Sequence, residues 1–283
     1  MKRFLPTFGA LVLVAALVGA VVWLRPDPPP PAPTPLKEVV LQYADGSELW
    51  SSHDGHSGWT SYVVRRVLSE LDQAGLPFDR LQRSGAVVRT TIDAKAQTTA
   101  AAVVGRLVSP KRRDLGASVT AIDPASGGVQ VYLALSRLNN LAGDEPRDLG
   151  PEIARPLAEV GLGRAQMSPL DVTAAYATVA AGGVRRDPHF VATVTSADGA
   201  LLFKAVDTGK PAFDQAVADR MTAVLKEKPG CNGAACVPGA FPWTVGYTPQ
   251  LAVAVFVDEA GAAIDDADLP RVVWQEFLAS LAG

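Results

Sequence analysis

Apolar residues recur every three to four positions in several stretches of the chain, which is the spacing of helices with one buried face. Trp59 to Ala74 has this pattern, and Gly75 supplies a stop. Ser168 to Ala181 begins with a serine N-cap followed by a proline, which favours a helix start. Asp93 is the predicted N-cap of a helix that runs through Gln97 and Ala102 to about Leu107, and the remaining predicted helices cover Glu152–Val160, Phe213–Glu227 and Arg271–Leu281.

Other stretches are short, apolar and β-like, and turn residues join some of them in pairs. Ser118–Ile122 and Val129–Leu135 flank a Pro-Ala-Ser-Gly-Gly turn, so they predict a hairpin. Phe190–Thr195 and Leu201–Val206 flank an Asp-Gly turn and predict a second hairpin. The remaining predicted strands are Ala86–Thr91, Trp243–Tyr247 and Leu251–Asp258. Helices and hairpins are interspersed, which indicates an α+β fold with a mainly antiparallel sheet flanked by helices.

The N-terminus carries an apolar run from Phe4 to Leu24, preceded by Lys2 and Arg3. The run is about as long as a membrane-spanning helix needs to be. Positive charge before the run favours an N-terminus inside the cell and a C-terminal domain outside it. The alternative is a cleaved signal peptide, which is less favoured because the run is long and no small-x-small cleavage site follows it. We therefore predict a single-pass protein of the cell membrane, with a proline-rich linker from Pro26 to Pro35.

Composition narrows the classes of function. Apolar residues make up 48% of the 283 residues, enough for one sizeable core. The net charge is −3 without a basic stripe, which argues against a nucleic-acid partner. The three histidines, His53, His56 and His189, give no metal-ligand spacing around the two cysteines, so we expect no metal and no cofactor. Cys231 and Cys236 form a C-x4-C pair, and an oxidising exterior favours a disulfide over free thiols.

Four stretches, in order, resemble the transpeptidase domain of bifunctional (class A) penicillin-binding proteins. They are Gly85–Ala102, Ala117–Val131, Met167–Pro188 with the following His189 and Phe190, and Phe241–Val257 with its Val-Gly-Tyr-Thr-Pro-Gln-Leu core. The resemblance covers about Trp59 to Gly283 and implies a penicillin-binding, serine-transpeptidase-like fold.

Tyr43–Leu49 resembles the segment that precedes the glycosyltransferase domain in that family, yet only Trp50–Gly58 separates it from the predicted transpeptidase-like domain. The resemblance therefore implies that the glycosyltransferase domain is missing. The expected division is a cytoplasmic stub and transmembrane anchor at 1–25, a linker at 26–36, a remnant pre-domain segment at 37–58 and a truncated, degenerate transpeptidase-like domain at 59–283.

Active members of the family need three motifs, and the chain has none of them. In Ser-x-x-Lys the lysine lies one helical turn from the serine nucleophile and can take its proton. Only Thr34 to Lys37 places a hydroxyl three residues before a lysine, and that pair lies in the linker. Ser-x-Asn does not occur; Ser136-Arg137-Leu138-Asn139 is one residue too long, and Ser136–Gln166 is too short to rebuild the helical region that carries the first two motifs.

The third motif, Lys-Thr-Gly, should lie between the Phe213 helix and Trp243. There the chain reads Gly-Cys-Asn-Gly-Ala-Ala-Cys-Val-Pro-Gly-Ala-Phe-Pro-Trp. We expect a loop closed by Cys231 and Cys236 in place of the substrate-binding strand, and no catalytic residue in it.

The leading hypothesis is a catalytically inactive module that binds or scaffolds peptidoglycan or the proteins that synthesise it. The enzyme alternative is an unconventional D,D-transpeptidase or carboxypeptidase; its candidate nucleophiles Ser118, Ser126 and Ser136 have no lysine at helical spacing and are better explained as turn and cap residues. The third hypothesis is a decayed gene fragment, and the intact helix caps and hairpin turns argue against it.

Trp243 and Tyr247 are candidates for lining a residual groove, with packing in the core as the simpler role.

Overall fold

The computed structural model describes residues 36–53, 62–108, 115–135, 145–231, 233–240, 242–259 and 267–282. The predicted membrane span and nearly all of the linker lie outside these residues, as do Ser136 to Asn139. None of the helices in the described ranges combines the length and apolar character that crossing a bilayer requires.

The described residues contain helices and strands in alternation. The helices are α1 (Tyr62–Gln73), α2 (Phe78–Ser84), α3 (Ala94–Leu107), α4 (Gly150–Glu159), α5 (Pro169–Ala180), α6 (Gln215–Lys226) and α7 (Leu269–Ala282). The strands are β1 (Val40–Gln42), β2 (Glu48–Ser51), β3 (Val87–Thr90), β4 (Leu115–Ile122), β5 (Val129–Leu135), β6 (Arg147–Asp148), β7 (Gln166–Met167), β8 (Val184–Arg185), β9 (Val191–Thr195), β10 (Leu201–Lys204), β11 (Lys210–Pro211), β12 (Ala235–Ala240), β13 (Trp243–Tyr247) and β14 (Ala252–Glu259).

One five-stranded sheet, in the order β12-β13-β14-β4-β5, is antiparallel throughout. Strand β14 pairs with β4 along eight consecutive residues, from Ala252 opposite Ile122 to Glu259 opposite Leu115. Alternate residues of β14 point to opposite faces, and both faces are buried: Val253 and Val255 pack with α3 and α7, whereas Ala254 belongs to the core shared with α5. This confirms the predicted fold class and the β4–β5 hairpin.

The second five-stranded sheet has the order β10-β9-β3-β1-β2. The predicted β9–β10 hairpin is present, with Leu201 opposite Thr195. Strand β1 runs parallel to β3, with Val40 opposite Val87, and all other pairs in this sheet are antiparallel. The pre-domain segment 37–58 thus contributes β1 and β2 to the same sheet as β3, because its short apolar run has a buried partner there.

Helix α5 packs on the first sheet and is buried along almost its whole length. The predicted N-cap is confirmed: the Ser168 hydroxyl accepts a hydrogen bond of 3.1 Å from the Asp171 amide. Thr173 and Thr178 donate their hydroxyl hydrogens to the carbonyls four residues earlier, so both buried side chains are satisfied. The helix ends before Gly182 and Gly183, whose φ angles of 66° and 89° lie in the left-handed region.

Candidate functional site

The interval assigned to the third catalytic motif contains the predicted loop closed by Cys231 and Cys236, but a strand, β12, begins within it, so the prediction that the loop replaces the strand is wrong. Strand β12 pairs antiparallel with β13, with Ala235 opposite Tyr247 and Val237 opposite Val245. The pairing loses its register between Val237 and Ala240, around Pro238, as is common at a sheet edge. Strand β12 is held by its hydrogen bonds to the neighbouring strand. Its residues do not alternate between apolar and polar types, so the sequence pattern does not predict it. The edge strand therefore exists without the lysine and threonine of the motif.

The two cysteines form a disulfide that ties the preceding loop to the second residue of β12, with their Cα atoms 5.8 Å apart. Both cysteines are buried against α7, in a cluster that includes Trp274. Gly246, opposite Cys236, makes room for this packing. A Cβ atom at Gly246 would lie 2.5 Å from Cβ of Cys236 and 2.8 Å from Cζ2 of Trp274. The disulfide thus fills the space between the edge of the sheet and α7, so its role in the fold is structural.

The two aromatic groove candidates have different surroundings. Trp243 lies in the core and lines no groove, because its ring is fully buried with its centroid 4.5 Å from that of Phe256. Its indole N–H donates a 2.8 Å hydrogen bond to the Asp148 carbonyl, which satisfies the buried polar atom. Tyr247 lines a groove, and its phenol oxygen shares a 2.7 Å hydrogen bond with the Thr222 hydroxyl. Burial raises the pKa of Tyr247, so the phenol stays protonated.

That groove has a volume of about 920 Å³. We call it the α6–α7 groove. Its walls come from the end of α5, one side of α6, the Cys231–Ala234 loop, the β13–β14 turn and one side of α7. Four polar residues of α6 line it, namely Gln215, Asp219, Thr222 and Lys226, and α7 contributes Trp274, Gln275, Leu278 and Ala279. Of the predicted site residues, the structure brings Tyr247 and Cys231 together here and leaves Trp243 out.

The sequence interpretation missed the α6 side of the groove. The signal was available: Gln215, Asp219, Thr222 and Lys226 are spaced four, three and four residues apart, which places them on one helix face. Such a polar face is ordinarily a solvated surface, and only the position of α7 shows that it forms one wall of a groove.

Ser118 and Ser126, the two serine candidates that the structure describes, lie apart from the groove. Ser118 is buried on β4 opposite Phe256, and its hydroxyl has no hydrogen-bond partner among the residues that the structure describes. Ser126 lies in the β4–β5 turn, where its hydroxyl donates a 2.6 Å bond to Asp123 and accepts one from the Gly128 amide. This arrangement is a turn, as the sequence indicates. Ser136 lies outside the described residues.

A second polar cluster lies between α1 and β9. The Glu70 carboxylate accepts hydrogen bonds of 2.7 Å and 3.1 Å from the amides of Phe190 and Val191. Burial raises the pKa of Glu70, and these two bonds only partly oppose that effect. His189 and Arg66 border the same cleft, which measures about 280 Å³. Among the described residues, no group of three or more histidines, cysteines or carboxylates is placed to hold a metal.

Comparison with known proteins relates this fold to one family. Residues 137–239 match the family profile described as the penicillin-binding protein transpeptidase domain. The chain resembles the transpeptidase domain of penicillin-binding proteins. The matched segment includes α4, α5, α6 and most of β12, so the transpeptidase-like region extends through the interval in which the motifs are missing.

Two curated relatives are mycobacterial. Penicillin-binding protein 1A of Mycolicibacterium smegmatis is 24% identical over 348 positions, which cover 77% of this chain and 44% of the relative. Penicillin-binding protein 1A of Mycobacterium tuberculosis is 34% identical over 167 positions, covering 44% of this chain and 20% of the relative. The chain therefore spans less than half the length of these relatives. The first alignment is longer than the 283 residues of this chain, so the relative has residues with no counterpart here.

Solved structures give the same fold. The penicillin-binding protein PonA1 from Mycobacterium tuberculosis superposes with a TM-score of 0.67 at 22% identity, covering 78% of this chain and 90% of that one. Penicillin-binding protein PBPA from the same organism gives a TM-score of 0.55 at 14% identity, covering 78% and 86%. At these identities the likeness establishes the architecture only.

Proposed function

We propose that this chain is a membrane-anchored, extracytoplasmic module that contributes to peptidoglycan synthesis by binding, and that it does not catalyse acyl transfer. The observation that carries the proposal is the composition of β12. The interval assigned to Lys-Thr-Gly forms a paired edge strand, yet its first three residues are Ala235, Cys236 and Val237. None of these side chains can supply the cation that a substrate carboxylate needs.

The surroundings of the serines support the same proposal. An acylated serine needs a base within hydrogen-bond reach and an open approach for substrate. Ser118 is buried and has no hydrogen-bond partner within the described ranges, and the Ser126 hydroxyl is held by hydrogen bonds within its turn. Neither serine has a lysine three residues later in the sequence. The residues of the mycobacterial relative that have no counterpart here are consistent with loss of the region that carries the first two motifs.

The anchor and the partners are each supported by a separate observation. The apolar run Phe4–Leu24 behind Lys2 and Arg3 supports a single-pass anchor with an outside domain. The likeness to penicillin-binding proteins supports peptidoglycan, or the proteins that synthesise it, as partners. Retention of the full chain in the membrane fraction after alkaline extraction tests the anchor. A pull-down against cell-wall fractions and envelope proteins tests the partners.

Labelling with a fluorescent penicillin tests the absence of acylation. Because no serine lies three residues before a lysine in the sequence, we expect the purified full chain to remain unlabelled under conditions that fully label an active class A penicillin-binding protein in the same gel. Stoichiometric labelling of a single residue, competed by unlabelled penicillin, contradicts the proposal. Release of D-alanine from a pentapeptide by the full chain, abolished by Ser118→Ala, contradicts it equally and favours the carboxypeptidase alternative.

A further inference from the structure

We propose that the α6–α7 groove binds short peptides whose two termini are both free. This inference deepens the proposed function and rests on it, because it assigns the binding role to a particular surface. The groove is separate from β4, which carries Ser118, and from the Glu70 cluster.

The charges on α6 define the ligand class. Asp219 and Lys226 both line the groove and are exposed, and neither forms an ion pair with any other residue that the structure describes. They lie seven residues apart on one helix, so their Cα atoms are separated by about 10.5 Å along the axis. One negative and one positive group at this spacing favour a ligand with an amine at one end and a carboxylate at the other. A polyanion or a polycation would meet a like charge at one of the two positions.

The length and volume of the groove set the size of the peptide. An extended chain spans at most about 3.3–3.6 Å per residue, so three residues match the separation of the two charges. The volume of about 920 Å³ lies in the usual range of small-ligand sites and holds a tripeptide with room for its side chains.

The remaining walls suit a peptide backbone with small side chains. Between the two charges, the hydroxyls of Thr222 and Tyr247 are hydrogen-bonded to each other and can still accept bonds from a ligand amide. Gln215 and Gln250 bring exposed amide groups to the same space, where they can both donate and accept. On the opposite side, Leu278 and Ala279 of α7 present an apolar strip to the ligand side chains.

Calorimetric titration of the full chain in detergent with trialanine tests the proposal, with N-acetyl-trialanine as the probe blocked at the amino terminus and trialanine amide as the probe blocked at the carboxyl terminus. We expect trialanine to bind with a measurable heat, and each blocked terminus to weaken binding about two- to fivefold, the range of partly exposed ion pairs. The Lys226→Met variant should bind trialanine about two- to fivefold more weakly and lose its preference for a free carboxyl terminus. Asp219→Asn should lose the preference for a free amino terminus.

The matched control is Lys210→Met, which removes an exposed lysine of β11 outside the groove and should leave the titration unchanged. Unfolding midpoints of all variants should agree with that of the parent chain, since both charged side chains are exposed. Equal affinity for free and blocked trialanine, no binding of trialanine, or an unaltered preference in Lys226→Met overturns the inference. The same samples are tested with fluorescent penicillin. Labelling together with peptide binding overturns the proposed function and leaves this inference standing. Absence of labelling together with absence of peptide binding overturns this inference and leaves the proposed function standing.

Discussion

Helix α5 and most of strand β12 lie in the sequence segment that matches the transpeptidase profile, yet they are held in the fold by different means. Helix α5 has its own N-cap, satisfies its own threonines and stops at glycines suited to a left-handed turn. Strand β12 pairs on one side with β13, breaks its register at Pro238 and is fastened by a disulfide. The helix is specified by its local sequence, whereas the strand depends on partners distant from it in the chain.

The largest effect should come from α5. Tyr176 is fully buried near Tyr247, with ring centroids 6.2 Å apart. Tyr176→Ala leaves a cavity the size of an aromatic ring and should lower the free energy of unfolding by about 3–5 kcal/mol in urea denaturation.

Tyr176→Phe is the matched control, because the buried phenol oxygen has no hydrogen-bond partner in the described part of the chain. Removing it should cost nothing, or stabilise the fold by up to about 1 kcal/mol. A loss of several kcal/mol in Tyr176→Phe would show that the hydroxyl, and not the ring, anchors the helix.

An intermediate effect is expected at β12. The disulfide closes a short loop, since its cysteines are five residues apart. Chain-entropy arguments give about 2 kcal/mol for a loop of this size. The double variant Cys231→Ala/Cys236→Ala should unfold at correspondingly lower urea concentration, and addition of a thiol reductant should shift the parent chain but not the variant. An unshifted parent chain would mean that pairing with β13 alone holds the strand.

A smaller effect is expected at the start of α5. Ser168→Ala removes the side chain that accepts the hydrogen bond from the Asp171 amide, and should cost about 1 kcal/mol. Ser69→Ala, at an exposed position within α1, is the control and should change stability by only a few tenths of a kcal/mol. If the two variants behave alike, the cap does not specify the helix and the comparison with β12 weakens.

The smallest effect is expected at Glu70. Its side chain connects a helix to a strand, so this contact involves both kinds of element that are compared above. Burial raises the folded-state pKa of Glu70 above its unfolded value, so its stabilising contribution is complete below the unfolded value of about 4.5 and is lost as the pH rises through the folded value. Glu70→Gln cannot titrate, so the parent chain should lose stability relative to this variant as the pH is raised from 4 through the mildly acidic range. Parallel stability curves for the two proteins would contradict this.

The contrast between α5 and β12 explains which features of the fold could be predicted from the sequence. The Ser168 cap, the Asp93 cap, whose carboxylate accepts from the Ala96 amide, and both hairpins were predictable because their signals lie within a few residues. Strand β12 and the parallel pairing of β1 with β3 were not, because each depends on a strand far along the chain. The position of the disulfide was predictable, but the α6–α7 groove was not, since it needs the placement of three separate elements.

Gly246 has a consequence for how related genes are annotated. No residue with a Cβ atom fits there while Cys236 and Trp274 hold their places. The glycine belongs to the Val-Gly-Tyr-Thr-Pro stretch that makes this chain look like a transpeptidase, yet its requirement is one of space. The glycine therefore reports how closely sheet and helix approach each other in this chain, and its presence gives no ground for assigning an enzyme activity.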